Sequence, residues 1–424
     1  MHHGNRQSPA GRWARDVRRC AHRLGILLGA LLTVGCEEVE LRAEPSSPAI
    51  PSEGEAEAAG PTDPEPGNVT ALSVGPRSSC AIVGREALWC WGSAGHGLLG
   101  ESPGPGPVRV ASGQELSAVS VGDDRVCYLA EGTPYCFGVV GGFGPDYGYY
   151  SEPEIAYSPQ PVGGLESVDA VSVARNQSCF LSGGVTRCLG DAPSGAGSNA
   201  RSSRPSIALS RDARSLATGA SHSCVATTDG KVSCWGSNAA GQLPGSGVRG
   251  YTLTAAELDM PEGARQVASS PTGALTCALG AEDAIVCWGA AGDVGAREGM
   301  RVGDGPVALE GAAEPIARIA VGLLEVYAVA DSGALYRYAV GDAERDPEGG
   351  RFVRYRTELE GPARVDTAAV AQVGVGLSHT CALGQDGHVR CWGLPVAGRL
   401  GAPAEDAVGA DAPVLVRFEA VEGR

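Results

Sequence analysis

A chain of 424 residues with 63 Gly, 28 Pro and only 5 % aromatics is longer than one compact core usually supports, so either several domains or a repeat array is expected. The formal net charge is −16; residues 1–35 hold six Arg against Asp16, which leaves the remainder near −21 with Lys231 as its one lysine. A polyanion would be repelled by such a chain, and this excludes a nucleic-acid-binding role.

Residues 1–35 read as an export signal. Arg6, Arg12, Arg15, Arg18, Arg19 and Arg23 precede an apolar run from Leu24 to Val34 that is too short to span a bilayer as a helix. The run ends in Leu32-Thr33-Val34-Gly35-Cys36, which resembles a bacterial lipobox, although Thr33 stands where that motif usually has Leu. The resemblance implies lipidation of Cys36 as the mature first residue; an ordinary signal peptide is the alternative. Residues 36–68 form a linker. Within it, residues 37–67 carry nine acidic residues, one Arg and six prolines but no aromatics, a composition that buries no core and reads as a disordered tether.

From residue 69 to 419 one pattern recurs. Its clearest copy is Cys224-Val-Ala-Thr-Thr-Asp-Gly-Lys-Val-Ser-Cys234-Trp-Gly-Ser-Asn-Ala-Ala-Gly-Gln-Leu243. Two β-prone runs flank Thr228-Asp229-Gly230, a three-residue loop closed by a left-handed Gly. Counting outward places Cys224 opposite Cys234, in position for a disulfide. Cys80 with Cys90, Cys277 with Cys287 and Cys381 with Cys391 share the spacing. Cys127 with Cys136 and Cys179 with Cys188 are one residue closer and have two-residue loops, Glu131-Gly132 and Gly183-Gly184. A further copy is expected to place Tyr327 and Tyr336 at the two cysteine positions. Zinc is the rival reading of such cysteines, but a zinc site gathers four ligands at short spacing, so no metal is expected. Twelve paired cysteines in an exported chain read as structural disulfides.

The residue that opens each copy falls at Gly75, Gly122, Ala174, Gly219, Thr272, Gly322 and Gly376, a period of 45 to 54 residues. With only short β-prone runs, that period signals propeller blades. Each copy adds a strand such as Leu72-Ser-Val74 and one resembling Pro107 to Val110, with weaker versions near Ile207, Leu253 and Val353. Pro413 to Phe418 stands alone after the last hairpin, so the ring is expected to close by this C-terminal strand completing the blade begun at Val69.

The stretch Gly376-Leu-Ser-His-Thr-Cys-Ala-Leu-Gly-Gln-Asp-Gly-His-Val-Arg-Cys-Trp-Gly393, with its counterpart from Gly219 to Leu243, resembles the repeat of the regulator of chromosome condensation family. The resemblance spans roughly 350 residues and implies an all-β, seven-bladed β-propeller of four-stranded blades. The family's founding activity, nucleotide exchange on a small GTPase at chromatin, is not expected of an exported, acidic chain.

No Gly-x-Ser-x-Gly, His-Glu-x-x-His or phosphate loop is present, so no catalytic residue, enzyme activity or cofactor is expected. His222 and His379 recur with the fold in Gly-x-x-His-x-Cys and read as structural hydrogen-bonding groups. Trp91, Trp235, Trp288 and Trp392, each after a second cysteine, are expected to pack between blades. The largest break in the repeat holds Phe143, Tyr147, Tyr149, Tyr150 and Tyr157, five of the chain's sixteen Phe and Tyr residues. Aromatics among Gly and Ser have the composition of a binding surface. The expectation is a monomeric, exported propeller, held by its lipid to a membrane facing the periplasm or the cell surface, that binds a protein or a surface polymer. A carbohydrate-active enzyme and a purely structural envelope component are the alternatives.

Overall fold

The structure, a computed structural model, describes residues 68–418 apart from 94, 96–97, 100–105, 114, 140–154, 176, 191–210, 246, 248–249, 261–262, 291–304, 341, 346–351, 357–359 and 403–411. The export signal, Cys36 and the linker up to residue 67 lie outside the described residues. Seven antiparallel sheets form the blades of a propeller. Blade 1 consists of Val69–Val74, Ser78–Val83, Ala87–Gly92 and Val108–Ser112, in that order from the centre outward. Blade 2 starts at Leu116, blade 3 at Ala170, blade 4 at Ala213, blade 5 at Ala264, blade 6 at Ile316 and blade 7 at Val370, and all but one repeat the four-stranded order. Blade 3 shows three strands among the described residues. Each innermost strand lies beside that of the next blade, and Val69–Val74 lies beside Val370–Val375, which closes the ring.

Turn chemistry sets the hairpin register. Gly230 has φ +86°, while Glu131-Gly132 (+51°, +75°) and Gly183-Gly184 (+52°, +77°) have the two positive φ values of a type I′ turn. Cys224 therefore pairs with Cys234, Cys127 with Cys136 and Cys179 with Cys188. The remaining hairpins set Cys80 opposite Cys90, Cys277 opposite Cys287 and Cys381 opposite Cys391. All six expected pairs are disulfides, with Cα atoms 4.0–4.2 Å apart. That separation suits non-hydrogen-bonded cross-strand positions.

Four expectations change. Tyr327 faces Arg337, not Tyr336, because Asp331-Ser332-Gly333-Ala334 gives this hairpin the ten-residue spacing of its longer relatives; Tyr338 then occupies the place of Trp235. In blade 5 the opening position is Ser270 and not Thr272. Its amide bonds Leu275 O across a turn two residues longer than in blade 1, where Gly75 N bonds Ser78 O. The fourth strand of blade 6 is Glu360–Val365; Val353 instead belongs to a separate hairpin, Asp342–Arg345 with Phe352–Arg356. Finally, Val414–Leu415 pairs with Val389–Gly393 and completes blade 7, so blade 1 is built from its own contiguous chain.

The C-terminal strand still seals the ring through its side chains. Val416 is buried in a cluster with Val69, Leu72 and Trp91, and the Phe418 ring meets Trp89 and Trp91 edge-on at 6.2 and 5.9 Å. Ending the chain at residue 411 removes the fourth strand of blade 7, one buried Val and the Phe418 ring packed on Trp89 and Trp91. A loss of about 5 kcal/mol is expected, against the roughly 5–15 that a typical domain possesses. Thermal unfolding followed by circular dichroism checks it, and an unchanged melt would overturn this account of closure.

Candidate binding face

Alternating strand direction gives the disc two unlike faces. Hairpin turns of two to four residues, such as 84–86, 131–132 and 228–230, lie on one face with the links between blades. On the other face the third strands end, at Gly92, Val139, Ser237, Trp288, Ala339 and Gly393, and the fourth strands of the same blades begin. The ends of the longest links within the blades are thus gathered on one side of a rigid scaffold, the usual placement of recognition loops.

Polar side chains tie blades to their neighbours across the seams. The residue two before the first cysteine reaches the next blade in four of them. Arg125 Nη1 donates to Ser178 Oγ (3.1 Å), Gln177 Nε2 donates to His222 O (2.6 Å), His222 Nε2 meets Thr276 Oγ1 (2.6 Å) and His379 Nε2 meets Ser79 Oγ (2.9 Å). His222 and His379 are thereby placed as structural bonding groups; the sequence reading did not see that Arg125 and Gln177 share their position. Burial lowers the His222 imidazole to about 4, and burial with the nearby Arg399 charge lowers His379 to about 3. Nearer the axis, Ser73, Ser120 and Ser172 accept hydrogen bonds from Val121 N, Val173 N and Thr218 N. Gln266 and Gln372 each clasp both backbone groups of one residue in the next blade, Ile319 and Leu72.

Further out, the seams are plugged by leucines. Leu98 and Leu99 cover Phe137, Leu243 covers Trp288 and Leu400 covers Trp91, and all three aromatic side chains are fully buried. The chain just before the plug also accepts the indole proton: Trp288 Nε1 donates to Gln242 O (2.9 Å) and Trp91 Nε1 to Arg399 O (3.1 Å). Trp235 packs with Cys179 and Cys188 of blade 3. In the seam between blades 6 and 7 the Trp392 ring is partly buried, edge-on to Tyr327 at 6.2 Å. A cleft of about 470 Å³ opens there, lined by Glu325, Tyr327, Arg337, Leu377, Trp392 and Leu394. Arg337 Nε donates to Glu325 Oε2 at 2.6 Å. Burial, with the Glu325 charge beside it, pushes the Tyr327 phenol up to about 12, so it stays protonated at neutral pH.

Residues 213–242 and 370–399 match the family described as regulator of chromosome condensation (RCC1) repeat. The chain is a propeller of RCC1 repeats. It is 24 % identical over 367 residues to the ultraviolet-B receptor UVR8 of Arabidopsis thaliana, covering 83 % of this chain and 71 % of that protein. Among solved structures it is similar to human WBSCR16 (21 % identity, TM-score 0.60, 78 % of this chain and 94 % of that one). It is likewise similar to yeast RCC1, Prp20, solved bound to Kap60 (18 % identity, TM-score 0.58, 73 % and 78 %). Prp20p from Saccharomyces cerevisiae, in a structure reported with its binding properties to Gsp1p and histones, matches at 19 % identity and TM-score 0.57 over 73 % and 80 %. At these identities the solved structures speak for the fold alone.

In this RCC1-repeat propeller Tyr157 sits on the outer strand of blade 2 and is 56 % exposed, while Phe143, Tyr147, Tyr149 and Tyr150 lie outside the described residues. The central channel, of about 260 Å³, is lined by Ser, Thr, Gln and aliphatic side chains, with no carboxylate on the described lining. No group of three His, Cys, Asp or Glu that could hold a metal occurs among the described residues. The cleft between blades 6 and 7 was missed from sequence. Its signal was the copy with Tyr327 in place of a cysteine, where the repeat breaks.

Proposed function

We propose that the chain is a non-catalytic, exported binding module that engages another protein through the face carrying its long connections. The gathering on one side of the ends of the longest links, over a scaffold whose blades are tied to one another across their seams, carries the reading. The similar propellers solved with Kap60, or reported with binding to Gsp1p and histones, support a protein partner. Six disulfides fit an oxidising, extracytoplasmic setting. Anchoring through a lipid on Cys36 and a non-enzymatic role rest on the sequence reading.

The test is cross-linking capture from the native envelope with the purified chain as bait. A second bait carries Ser at Phe143, Tyr147, Tyr149, Tyr150 and Tyr157. A protein held by the first bait and lost by the second supports the binding module and puts its contact on this connection. Identical background from both sinks it, and a glycan array with a hydrolysis screen then tests the carbohydrate-active alternative.

A further inference from the structure

We propose that the ring has a built-in opening point at the inner seam between blades 6 and 7, and that the propeller parts there while the seam joining its chain ends stays shut. This goes beyond the reading of the chain as a binding module and does not depend on it.

The innermost strand of a blade has a partner strand on one side only, so half of its backbone groups face the next blade unpaired. In six seams a side chain of the preceding blade takes one of these amides. Ser73, Ser120 and Ser172, each one before the end of its strand, accept from Val121 N, Val173 N and Thr218 N at 2.8–3.0 Å. Ser215, Gln266 and Gln372 use a second place, the third residue of the strand. Ser215 accepts from Val267 N at 3.1 Å, while the two glutamines clasp both N–H and C=O of Ile319 and Leu72. In blade 6 the third residue is Arg318, which is exposed, and the serine place is Ala320. Both inner strands of this seam, Ile316–Val321 and Val370–Val375, are described in full, and no side chain of the first bonds a backbone group of the second.

The next layer outward has diverged in the same blade. Tyr327 and Arg337 stand at the positions that a disulfide bridges elsewhere, and Arg337 turns back to Glu325 of its own blade. An apolar cluster round Tyr327, its phenol beside Thr380, and the backbone bond from Val370 N to Gly333 O (2.8 Å) hold the seam. The seam from blade 7 to blade 1, where a ring made from one chain is expected to part, is tied from the axis outward. Gln372 clasps Leu72, His379 meets Ser79, Trp91 donates to Arg399 O, and Val416 with Phe418 packs on blade 1. Sub-global opening follows the seam with the fewest ties.

The fold supplies matched reporters. In six seams an amide at the start of a blade donates to the preceding blade's hairpin turn. Three of them are Ala264 N to Gly230 O, Val370 N to Gly333 O and Val69 N to Gly387 O. Such a bond breaks when its seam opens, so the exchange rate of the amide reads that opening. The experiment is hydrogen exchange of the full chain by nuclear magnetic resonance, with rates corrected for local sequence, on the unaltered chain, Arg318→Gln and Ala320→Ser. The first variant supplies the amide that Gln266 and Gln372 use, the second the hydroxyl of Ser73, Ser120 and Ser172. Thermal melts at or above that of the unaltered chain show that both fold. Val370 N–H is expected to exchange at least tenfold faster than those of Ala264 and Val69. Each variant should slow Val370 at least threefold and leave Ala264 within twofold. Exchange of Val370 as slow as that of Ala264, Val69 as the fastest of the three, or one Val370 rate in all three chains overturns the proposal.

Discussion

Reduction of the six disulfides is expected to abolish cooperative thermal unfolding of the propeller near room temperature and above. Each bridge spans nine or ten residues, and closing so short a loop contributes about 2 to 3 kcal/mol through the unfolded chain. All six together supply roughly 16 kcal/mol as an upper figure, against the roughly 5–15 that typical domains possess in total. The loss is spread over blades 1 to 5 and 7, because each bridge, from Cys80 with Cys90 in blade 1 to Cys381 with Cys391 in blade 7, lies within a single hairpin. The cysteines are buried to 1 % exposure or less, so a reductant reaches them only after a blade opens. Reductant added to the native protein should therefore act slowly, whereas protein reduced in denaturant and transferred to buffer should lack the transition. Reduced and oxidised samples melting within a few degrees of each other would contradict this account.

Acidification is the second large effect. His222 and His379 are buried as neutral rings, each bonded through Nε2 to a hydroxyl of the next blade, and among the described residues no hydrogen-bond partner stands at either Nδ1. A second proton therefore enters a desolvated site with no acceptor. The unfolded imidazole titrates near the ordinary value of about 6.5. The folded ones are lowered to about 4 and about 3, so below pH 6.5 the unfolded chain binds protons that the folded chain refuses. The contribution to stability is fully present above pH 6.5. It falls as the pH drops through the window down to about 4 for His222 and about 3 for His379, on the order of 3 kcal/mol for each ring by pH 4. Asp386, held below its usual range first by its hydrogen bonds from Arg390, adds to the same trend, so comparison with a variant isolates the histidines.

The informative variant is His222→Gln with His379→Gln. Glutamine already serves at this position in blade 3, where Gln177 bonds the next blade's backbone. The melting temperature of the unaltered chain is expected to fall steeply between pH 7 and pH 4, and that of the double variant much less. Equal slopes would show that the rings are not the acid-sensitive parts of the seams.

Hairpin register was legible because it is local. The turn residues fix which cysteines oppose, and Glu131-Gly132 or Thr228-Asp229-Gly230 announce their φ values by residue type. The same local logic fails where the copy has drifted. Without cysteines to anchor the count, Tyr336 was assigned a place that belongs to Arg337, one residue on. Blade 5 misled in a related way. Its cysteines still gave the right pair, Cys277 with Cys287, but two extra residues before Leu275 moved the opening position to Ser270.

The sequence by itself determined the architecture: seven copies of one hairpin at a period of about fifty residues, six of them bridged. Such features follow from side-chain alternation and turn chemistry, which are read within one repeat. Tertiary structure alone decided which blade receives the last strand, which hydroxyl each buried histidine meets, and which backbone carbonyl of the preceding blade accepts each indole proton. The histidine and indole contacts join residues some fifty to three hundred positions apart, where the partner is set by the neighbouring blade and leaves no mark in its own repeat.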